Sequence, residues 1–348
     1  MTLLRFAGIV GRSWIGDKSG RREHGLLSFA CCRIWEDTVN MTGAIIRAFD
    51  GSLADAEGML LVERATFDEA PYSPEEVRTM LTAGSQRAWV AVGADSVVGF
   101  IVAFATYGLR GPCWEIDLLA VQPDWTRQGL ATRLIRAASA HGATVARRAR
   151  AVVATDNAAS ERAFQRAGYR TAGTCDLMIY RTEGSSLPHR TTPGVTVREI
   201  AGITEITGWL PEEIISGWPP AGQQQEQPRT LTLLLAERNG EAEGYVELIE
   251  VRTLLYRGTW IESLAASTQK ARTALVHATL ARCSVAGQNE IGTMVASGDL
   301  PLQQVLLDAQ FQSLGSFHWL SARLPLPGLA AASPSPRGQA KKRSHDGT

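Results

Sequence analysis

The stretch Trp114-Glu-Ile-Asp-Leu-Leu-Ala-Val121 predicts a strand, and the residues that follow it decide the fold. A turn, Gln122-Pro-Asp-Trp-Thr-Arg-Gln-Gly129, leads from this strand into a helix. A second predicted strand, residues 151–155, is followed by Asp156-Asn157 and by a helix that ends Phe164-Gln-Arg-Ala-Gly-Tyr169. The region therefore contains two consecutive strand–turn–helix units.

The first turn has the properties of an anion site. The first amides of a helix have no partner within the helix, and the helix dipole places positive charge at the same end. Gly129 lets a ligand come close to the backbone, and Ala131 is nearly as small. Arg127 adds a cation beside the turn. The turn therefore predicts a phosphate-binding site.

The order of these features resembles the GCN5-related N-acetyltransferase (GNAT) superfamily. The family's phosphate turn reads Gln or Arg, two residues, Gly, one residue, then Gly or Ala. Gly129 and Ala131 match this pattern, whereas Thr126 stands at the Gln or Arg position. The resemblance implies an α/β protein with the mixed sheet of the α+β class, in two tandem copies of the GNAT fold. Its sheet is mixed but mostly antiparallel, with helices on both faces, and it splays between the fourth and fifth strands.

The resemblance also implies acetyl-CoA as co-substrate, while the spacing of the Cys and His residues separately predicts no metal. The oxyanion of the reaction would be stabilised by backbone amides near residues 119–121. The residues expected to bind acetyl-CoA are Leu119, Val121, Arg127, Gln128, Gly129, Leu130, Ala131, Thr132, Asn157 and Phe164.

Two positions depart from the family in the catalytic machinery. Relatives often have a Tyr that protonates the CoA thiolate where this chain has Phe164, and a Glu base where it has Val152. The carboxylates left on the cofactor strand are Glu115 and Asp117, which share a face by strand alternation. Either is a candidate catalytic base, directly or through water. The alternative is a carboxylate pair that keeps the strand soluble.

A base is needed because an amine attacks a thioester only in its neutral form. A Lys-like amine has a pKa near ~10.4, so at neutral pH its deprotonation costs about three pK units, or roughly 4 kcal/mol. A base, a desolvated site or a less basic acceptor must therefore make the neutral amine available.

Composition excludes several classes of function. The 348 residues include 35 basic and 35 acidic side chains, so no overall charge attracts nucleic acid. No apolar run is long enough to span a membrane. The five Cys and six His form no metal-ligand pattern, and the Cys are expected to be reduced thiols of a cytoplasmic protein.

The second part of the chain reads as a degenerate copy of the first. The segment Asp299-Leu-Pro-Leu-Gln-Gln-Val-Leu-Leu-Asp-Ala-Gln-Phe311 lies over residues 157–169 at an offset of 299 − 157 = 142. Trp260-Ile-Glu-Ser-Leu264 lies over residues 114–118 at 260 − 114 = 146. The difference predicts that four residues are lost where the first copy has its phosphate turn. We expect that the second copy does not bind CoA, and a coincidental match of an ordinary α/β domain is the alternative.

These features divide the chain into five parts. We expect residues 1–41 to be a flexible extension, unless translation starts at Met41. We predict a GNAT domain in residues 42–183, a linker in residues 184–194, a degenerate GNAT-like domain in residues 195–325 and a disordered tail in residues 326–348.

The sequence thus predicts an acetyl-CoA-dependent N-acetyltransferase, of EC 2.3.1 type, in tandem GNAT form with only the first domain catalytic. The acceptor is a primary amine of a small molecule or a protein, and no nucleic-acid or membrane partner is expected. One alternative is a CoA-binding, non-catalytic sensor or scaffold, and another is transfer of a different acyl group. Acceptor identity and oligomeric state are left open.

Overall fold

The computed structural model describes residues 43–67, 72–84, 86–181, 192–217, 231–288 and 290–326. The predicted extension, most of the predicted linker and nearly all of the predicted tail lie outside these residues. We call the described residues up to 181 the first half and those from 192 the second half.

The first half contains six strands and four helices. They are β1 (Ile45–Ala48), α1 (Leu53–Phe67), α2 (Pro74–Thr82), β2 (Gln86–Gly93), β3 (Ser96–Gly108), β4 (Gly111–Val121), α3 (Leu130–Gly142), β5 (Arg148–Ala154), α4 (Ala158–Ala167) and β6 (Arg170–Arg181).

The described residues of the second half repeat this order, with one α-helix before their second strand. Its elements are β7 (Thr196–Ile200), α5 (Glu212–Gly217), β8 (Leu231–Arg238), β9 (Glu241–Arg252), β10 (Arg257–Ala266), α6 (Gln269–Val285), β11 (Glu290–Ala296), α7 (Leu300–Asp308) and β12 (Gln312–Arg323).

Local sequence signals account for several of these boundaries. Helix α2 begins with a capping box, in which the Ser73 side chain accepts from the Glu76 amide and the Glu76 side chain accepts from the Ser73 amide. The turn between β2 and β3 has Ala94 and Asp95 at positive φ, and Asn239-Gly240 repeats this geometry between β8 and β9. Within the described residues, no helix is long and apolar enough to cross a membrane.

All twelve strands form one sheet, in the order β1-β2-β3-β4-β5-β12-β6-β11-β10-β9-β8-β7. The two halves exchange their last strands: β12 pairs antiparallel with β5, and β6 pairs antiparallel with β11. The exchanged strands also pair with each other at the centre of the sheet. The sequence predicted two GNAT-fold copies, and the structure has both, but it completes each sheet with a strand of the other.

Helices cover both faces of each half. In the first half, α3 and α4 bury one apolar cluster and α1 and α2 bury another on the opposite face. In the second half, α6 and α7 pack on one face, and α5 with the segment before it packs on the other. A fifth cluster joins strands of both halves around the exchanged pair, and it includes Cys175, Leu177, Ile249 and Phe317.

Strand register corrects the predicted alignment of the repeats. Asp117 is the extra residue of a bulge between β3 and β4, and Glu262 is the extra residue of the same bulge between β9 and β10. The offset in this strand is therefore 262 − 117 = 145, not 146, and Trp260 takes the place of Glu115. Because β11 follows β5 at 291 − 149 = 142, three residues are lost overall, not four.

The loss is concentrated where the phosphate turn was predicted. Residues 122–129 connect β4 to α3, whereas residues 267 and 268 alone connect β10 to α6. Helix α6 is longer than α3 and restores part of the difference. Its first turn is capped by Thr268, which accepts from the Ala271 amide. In the second half, a side chain therefore caps the helix start that corresponds to the start of α3.

The halves are clasped by two hairpins related by the repeat. Leu254, at the tip of β9–β10, is buried in the α1–α2 core of the first half, and its amide donates to Gln86 Oε1 at 2.9 Å. Leu109, at the tip of β3–β4, is buried in the α5 core of the second half, and its amide donates to Glu247 Oε1 at 2.5 Å. The two leucines are equivalent, since 254 − 109 = 145.

We expect Leu254→Ala to lower the free energy of unfolding by about 2–5 kcal/mol, because it leaves a cavity in a core built by both halves. Urea unfolding followed by circular dichroism measures this loss. Leu61→Ala is the matched control, since Leu61 is 59% exposed on α1. Equal stabilities of the two variants would contradict the docking of the hairpin.

Candidate active site

The centre of the first half is the point where β4 and β5 separate. The two strands run parallel and pair from Trp114–Ala149 to Ile116–Ala151. Beyond Ile116, the β4 backbone faces a gap. This is the splay between the fourth and fifth strands that the family resemblance implied.

The gap opens into a cavity of about 510 Å³, which we call the turn cavity. It lies between the residues that follow β4 and the start of α4. Eight of the ten predicted cofactor residues line it: Leu119, Val121, Arg127, Gly129, Leu130, Ala131, Thr132 and Asn157. The other two, Gln128 and Phe164, do not. Gln128 is exposed and donates to the Asp124 carbonyl at 3.1 Å.

The start of α3 has the features of an anion site. Gly129 is the N-cap residue with φ +80°, a conformation that favours glycine, and among the residues that the structure describes no side chain caps the helix. The starts of α4, α6 and α7, by contrast, are capped by Asn157, Thr268 and Asp299. The first amides of α3 are therefore left to a ligand, and the dipole makes that ligand an anion.

Cations surround the same cavity. Arg127, Arg162 and Arg166 all line it. Arg162 and Arg166 were not among the predicted residues, although their spacing of four places them on one face of α4. Such spacing is also common on solvated helix faces, so the sequence alone did not single them out.

Asn157 and Phe164 have structural contacts of their own. The Asn157 side chain accepts from the Ser160 amide and so begins α4. Phe164 is buried and packs edge-on against Tyr169, with ring centroids 5.1 Å apart. The Tyr169 hydroxyl lies 2.9 Å from Ser139 Oγ in the same core. Phe164 therefore lies in the core under α4 and faces away from the turn cavity.

A second cavity, of about 100 Å³, lies between the halves on the other side of the splay, and we call it the interhalf cavity. Glu115 and Asp117 form part of its wall, together with β5. Phe104 and Thr106 of β3 and strands β9 to β12 of the second half form the rest. The two candidate carboxylates thus lie within one site, although their surroundings differ.

Glu115 is held by an arginine. Arg150 donates to Glu115 Oε1 at 2.6 Å and to Glu262 Oε1 at 2.5 Å, and so links the halves. Thr106 donates to Glu115 at 2.7 Å. Burial disfavours the charged carboxylate, but the Arg150 charge and these hydrogen bonds outweigh it, so the pKa of Glu115 is lowered. A carboxylate of this kind is a poor proton acceptor.

The described partners of the Asp117 carboxylate include no cation. Its carboxylate accepts from Gln86 Nε2 at 2.7 Å and from the Thr253 hydroxyl. Burial under the second half raises the pKa of Asp117 to about 7, which hydrogen bonds from Thr253 and Gln86 only partly offset. At neutral pH this group both accepts and releases protons, as a general base must. Gln86 was not among the predicted site residues.

Lining residues of the two cavities follow one another along β4. Leu119 and Val121 line the turn cavity, while Glu115 and Asp117 line the interhalf cavity, so Leu118 alone separates the two sets. The site can therefore hold an anion on one side of the splay and a proton acceptor on the other.

Comparison with known families agrees with this geometry. Residues 58–169 match the model of the acetyltransferase (GNAT) family. The match runs from α1 to the residue before β6, and so includes the turn and both strands of the splay. No curated protein matches the sequence.

Solved structures resemble both halves together. A GCN5-related N-acetyltransferase from Sphaerobacter thermophilus is 18% identical with a TM-score of 0.52, covering 80% of this chain and 95% of its own. A GCN5-related glucosamine N-acetyltransferase region of a fungal multi-domain GH3 β-N-acetylglucosaminidase is 14% identical with a TM-score of 0.50, covering 82% of this chain and 39% of its own.

These likenesses show the fold, which extends over most of the chain, and the family model identifies the half that carries the phosphate turn. The residues matched by the family model include the turn at residues 122–129 and both strands of the splay. Residues 58–169, within the first half, thus match the acetyltransferase (GNAT) family, and most of the chain has the fold of GNAT structures.

Proposed function

We propose that the first half transfers the acetyl group of acetyl-CoA to a primary amine, with Asp117 as the general base. The observation that carries the proposal is the pair of cavities on either side of the β4–β5 splay. One ends at an uncapped, cation-rich helix start, and the other ends at a carboxylate whose pKa lies at about 7.

The turn cavity suits the phosphate end of CoA. The amides at the start of α3 face this cavity, and the side chains of Arg127, Arg162 and Arg166 add positive charge. Val121 and Leu119 would lie along the pantetheine arm, and amides of β4 in the gap would stabilise the oxyanion. We propose no CoA site in the second half, because Thr268 already caps α6.

The base is assigned by the contrast between the two carboxylates. Glu115 is paired with Arg150, whereas Asp117 is desolvated and no cation of the described part of the chain contacts it. A base works best when its pKa lies near the working pH. Asp117 is therefore the better of the two predicted candidates, and Glu115 serves to hold Arg150 and the second half in place.

The proton balance of the reaction follows. The acceptor ammonium gives one proton to the Asp117 carboxylate, which later releases it to water. The neutral nitrogen attacks the thioester carbonyl, so a C–N bond forms and the C–S bond breaks. The second proton passes from the nitrogen to the leaving CoA thiolate. Phe164 has no hydroxyl to deliver it, so water or the acceptor nitrogen itself is the donor.

The missing acid favours a second candidate function, in which the chain binds CoA without turnover. Release of CoA thiol from acetyl-CoA, measured with a panel of primary amines, separates the two functions. Amine-dependent release supports the enzyme. Binding of acetyl-CoA by calorimetry with no release above background for any amine would support a sensor or scaffold.

We expect Gly129→Glu to abolish acetyl-CoA binding, because a carboxylate at the α3 start repels the phosphates. Isothermal titration calorimetry measures the change. Gly240→Glu is the matched control, since Gly240 has φ +83° and equal space for a side chain but lies in the β8–β9 turn. Binding that survives in the first variant would place the phosphates elsewhere.

We expect Asp117→Asn to lower kcat/KM by about 100-fold, which is typical of the loss of a general base. In the wild type, kcat/KM should rise with pH through about 7, because Asp117 must be deprotonated to accept a proton. The variant should lack this step while its affinity for acetyl-CoA is unchanged. A pH profile that keeps the step in the variant would assign it to another group.

The same variant should be more stable than the wild type at alkaline pH. The pKa of Asp117 is raised by folding, so the folded chain binds the proton more tightly than the unfolded chain, and stability falls as pH rises from about 4 to about 7. An Asn side chain has no such proton to lose. We therefore expect the free energy of unfolding of Asp117→Asn to exceed that of the wild type by an amount on the order of 2 kcal/mol at pH 8, and to differ little from it at pH 4. Urea unfolding at both pH values measures it, and a loss of stability at pH 8 would contradict the raised pKa.

A further inference from the structure

The walls of the interhalf cavity carry information about the acceptor. If the proposed function holds, the acceptor nitrogen must reach Asp117 from the side away from the turn cavity. The interhalf cavity is the space on that side. Its far wall belongs to the second half, which would then form part of the acceptor site.

Most of this wall is apolar. Trp260, Met294 and Trp319 come from β10, β11 and β12, and Phe104 and Val152 face them from the first half. All five side chains are half-buried, so each keeps surface that other side chains do not cover. Large apolar side chains that stay partly uncovered in one small cavity favour an apolar ligand.

The polar side chains of the cavity leave an excess of negative charge. Arg150 is the one cation among the described lining residues, and it is shared between Glu115 and Glu262. It also lies over the Trp319 ring, 5.6 Å from the centroid. One positive charge against two carboxylates leaves a negative balance, to which deprotonated Asp117 adds. A single ammonium group is therefore attracted, whereas a second one would have to be buried against the apolar wall.

The clasp between the halves restricts access from the surface. The β9–β10 hairpin docks just before the start of α2, where the Tyr72 hydroxyl donates to the Leu254 carbonyl. Gln86 contacts both this hairpin and Asp117, so the hairpin lies directly beside the base. An extended polypeptide needs an open groove to place its backbone across a site. Here the β9–β10 hairpin occupies the side of the site next to Gln86.

We infer that the acceptor is a small amine with a single ammonium group and an apolar or aromatic body, and that the second half binds this body in the interhalf cavity. This inference rests on the proposed function. It gives the degenerate half a part in substrate choice, although it lacks the phosphate turn. It also decides between the small-molecule and protein acceptors that the sequence left open.

The test compares 2-phenylethylamine, spermidine and an unblocked peptide as acceptors in the full chain. We expect 2-phenylethylamine to be acetylated at least about tenfold more efficiently than the other two, since the contacts of an apolar pocket are worth that much. Equal or greater efficiency with the peptide or with spermidine would overturn the inference while leaving the acetyltransferase proposal intact.

Two substitutions at one position locate the site. Met294→Trp fills the cavity and should weaken the use of 2-phenylethylamine, so that the KM for this amine rises by at least about tenfold. Met294→Ala enlarges the cavity and should shift the preference of the enzyme from 2-phenylethylamine toward the bulkier 2-(1-naphthyl)ethylamine. Loss of fold alone would not produce such a shift in preference.

Val285→Trp is the control on the second half, since Val285 is 91% exposed. Unchanged preference in both Met294 variants would overturn the site.

Calorimetry separates this inference from the proposed function. Acetyl-CoA affinity should be the same in the wild type and both Met294 variants. Binding of 2-phenylethylamine to the CoA complex should be lost in Met294→Trp. If the amine binds in this way but no acetyl transfer occurs, the acetyltransferase proposal fails and the amine site stands. If the amine does not bind to the wild-type complex, the site is overturned.

Discussion

The exchange of β6 and β12 is the constraint on which the rest of the structure depends. Strand β5 carries Arg150 and lines the splay, and its second edge is completed only by β12, from the end of the second half. Strand β6 completes the second half in return. Neither sheet is whole without the other chain segment, so the halves are fixed in one relative position. The interhalf cavity and the burial of Asp117 follow from that position.

Much of the first half could be predicted from its sequence, since local signals carry it. The Ser73 capping box, the turn at residues 93–96 and the strand–turn–helix units are all encoded within a few residues of each other. The strand exchange is different, because it is decided by pairing between segments far apart in the chain. The sequences of β6 and β12 are suited to a central strand in either sheet, and nothing in their pattern names the partner.

The candidate site likewise combines features set by neighbouring residues with features set by distant parts of the chain. The turn around Gly129 could be predicted as a candidate anion site because its features are set by the local backbone. Alternation placed Glu115 and Asp117 on one face but could not distinguish them. What distinguishes them is Arg150, on another strand, and the cover that the second half provides. Glu262 was overlooked because the repeat was aligned one residue out of register, and a bulge in β10 can be located only from pairing.

The strand exchange also has a consequence for synthesis on the ribosome. Once residues 43–181 have emerged, β5 has one free edge, and β6 lacks its neighbours β11 and β12 until nearly the whole chain has been made. Free strand edges pair readily with other chains. We therefore expect the nascent first half to need protection from aggregation until β12 arrives, and a chain cut short before residue 312 to leave that edge open permanently.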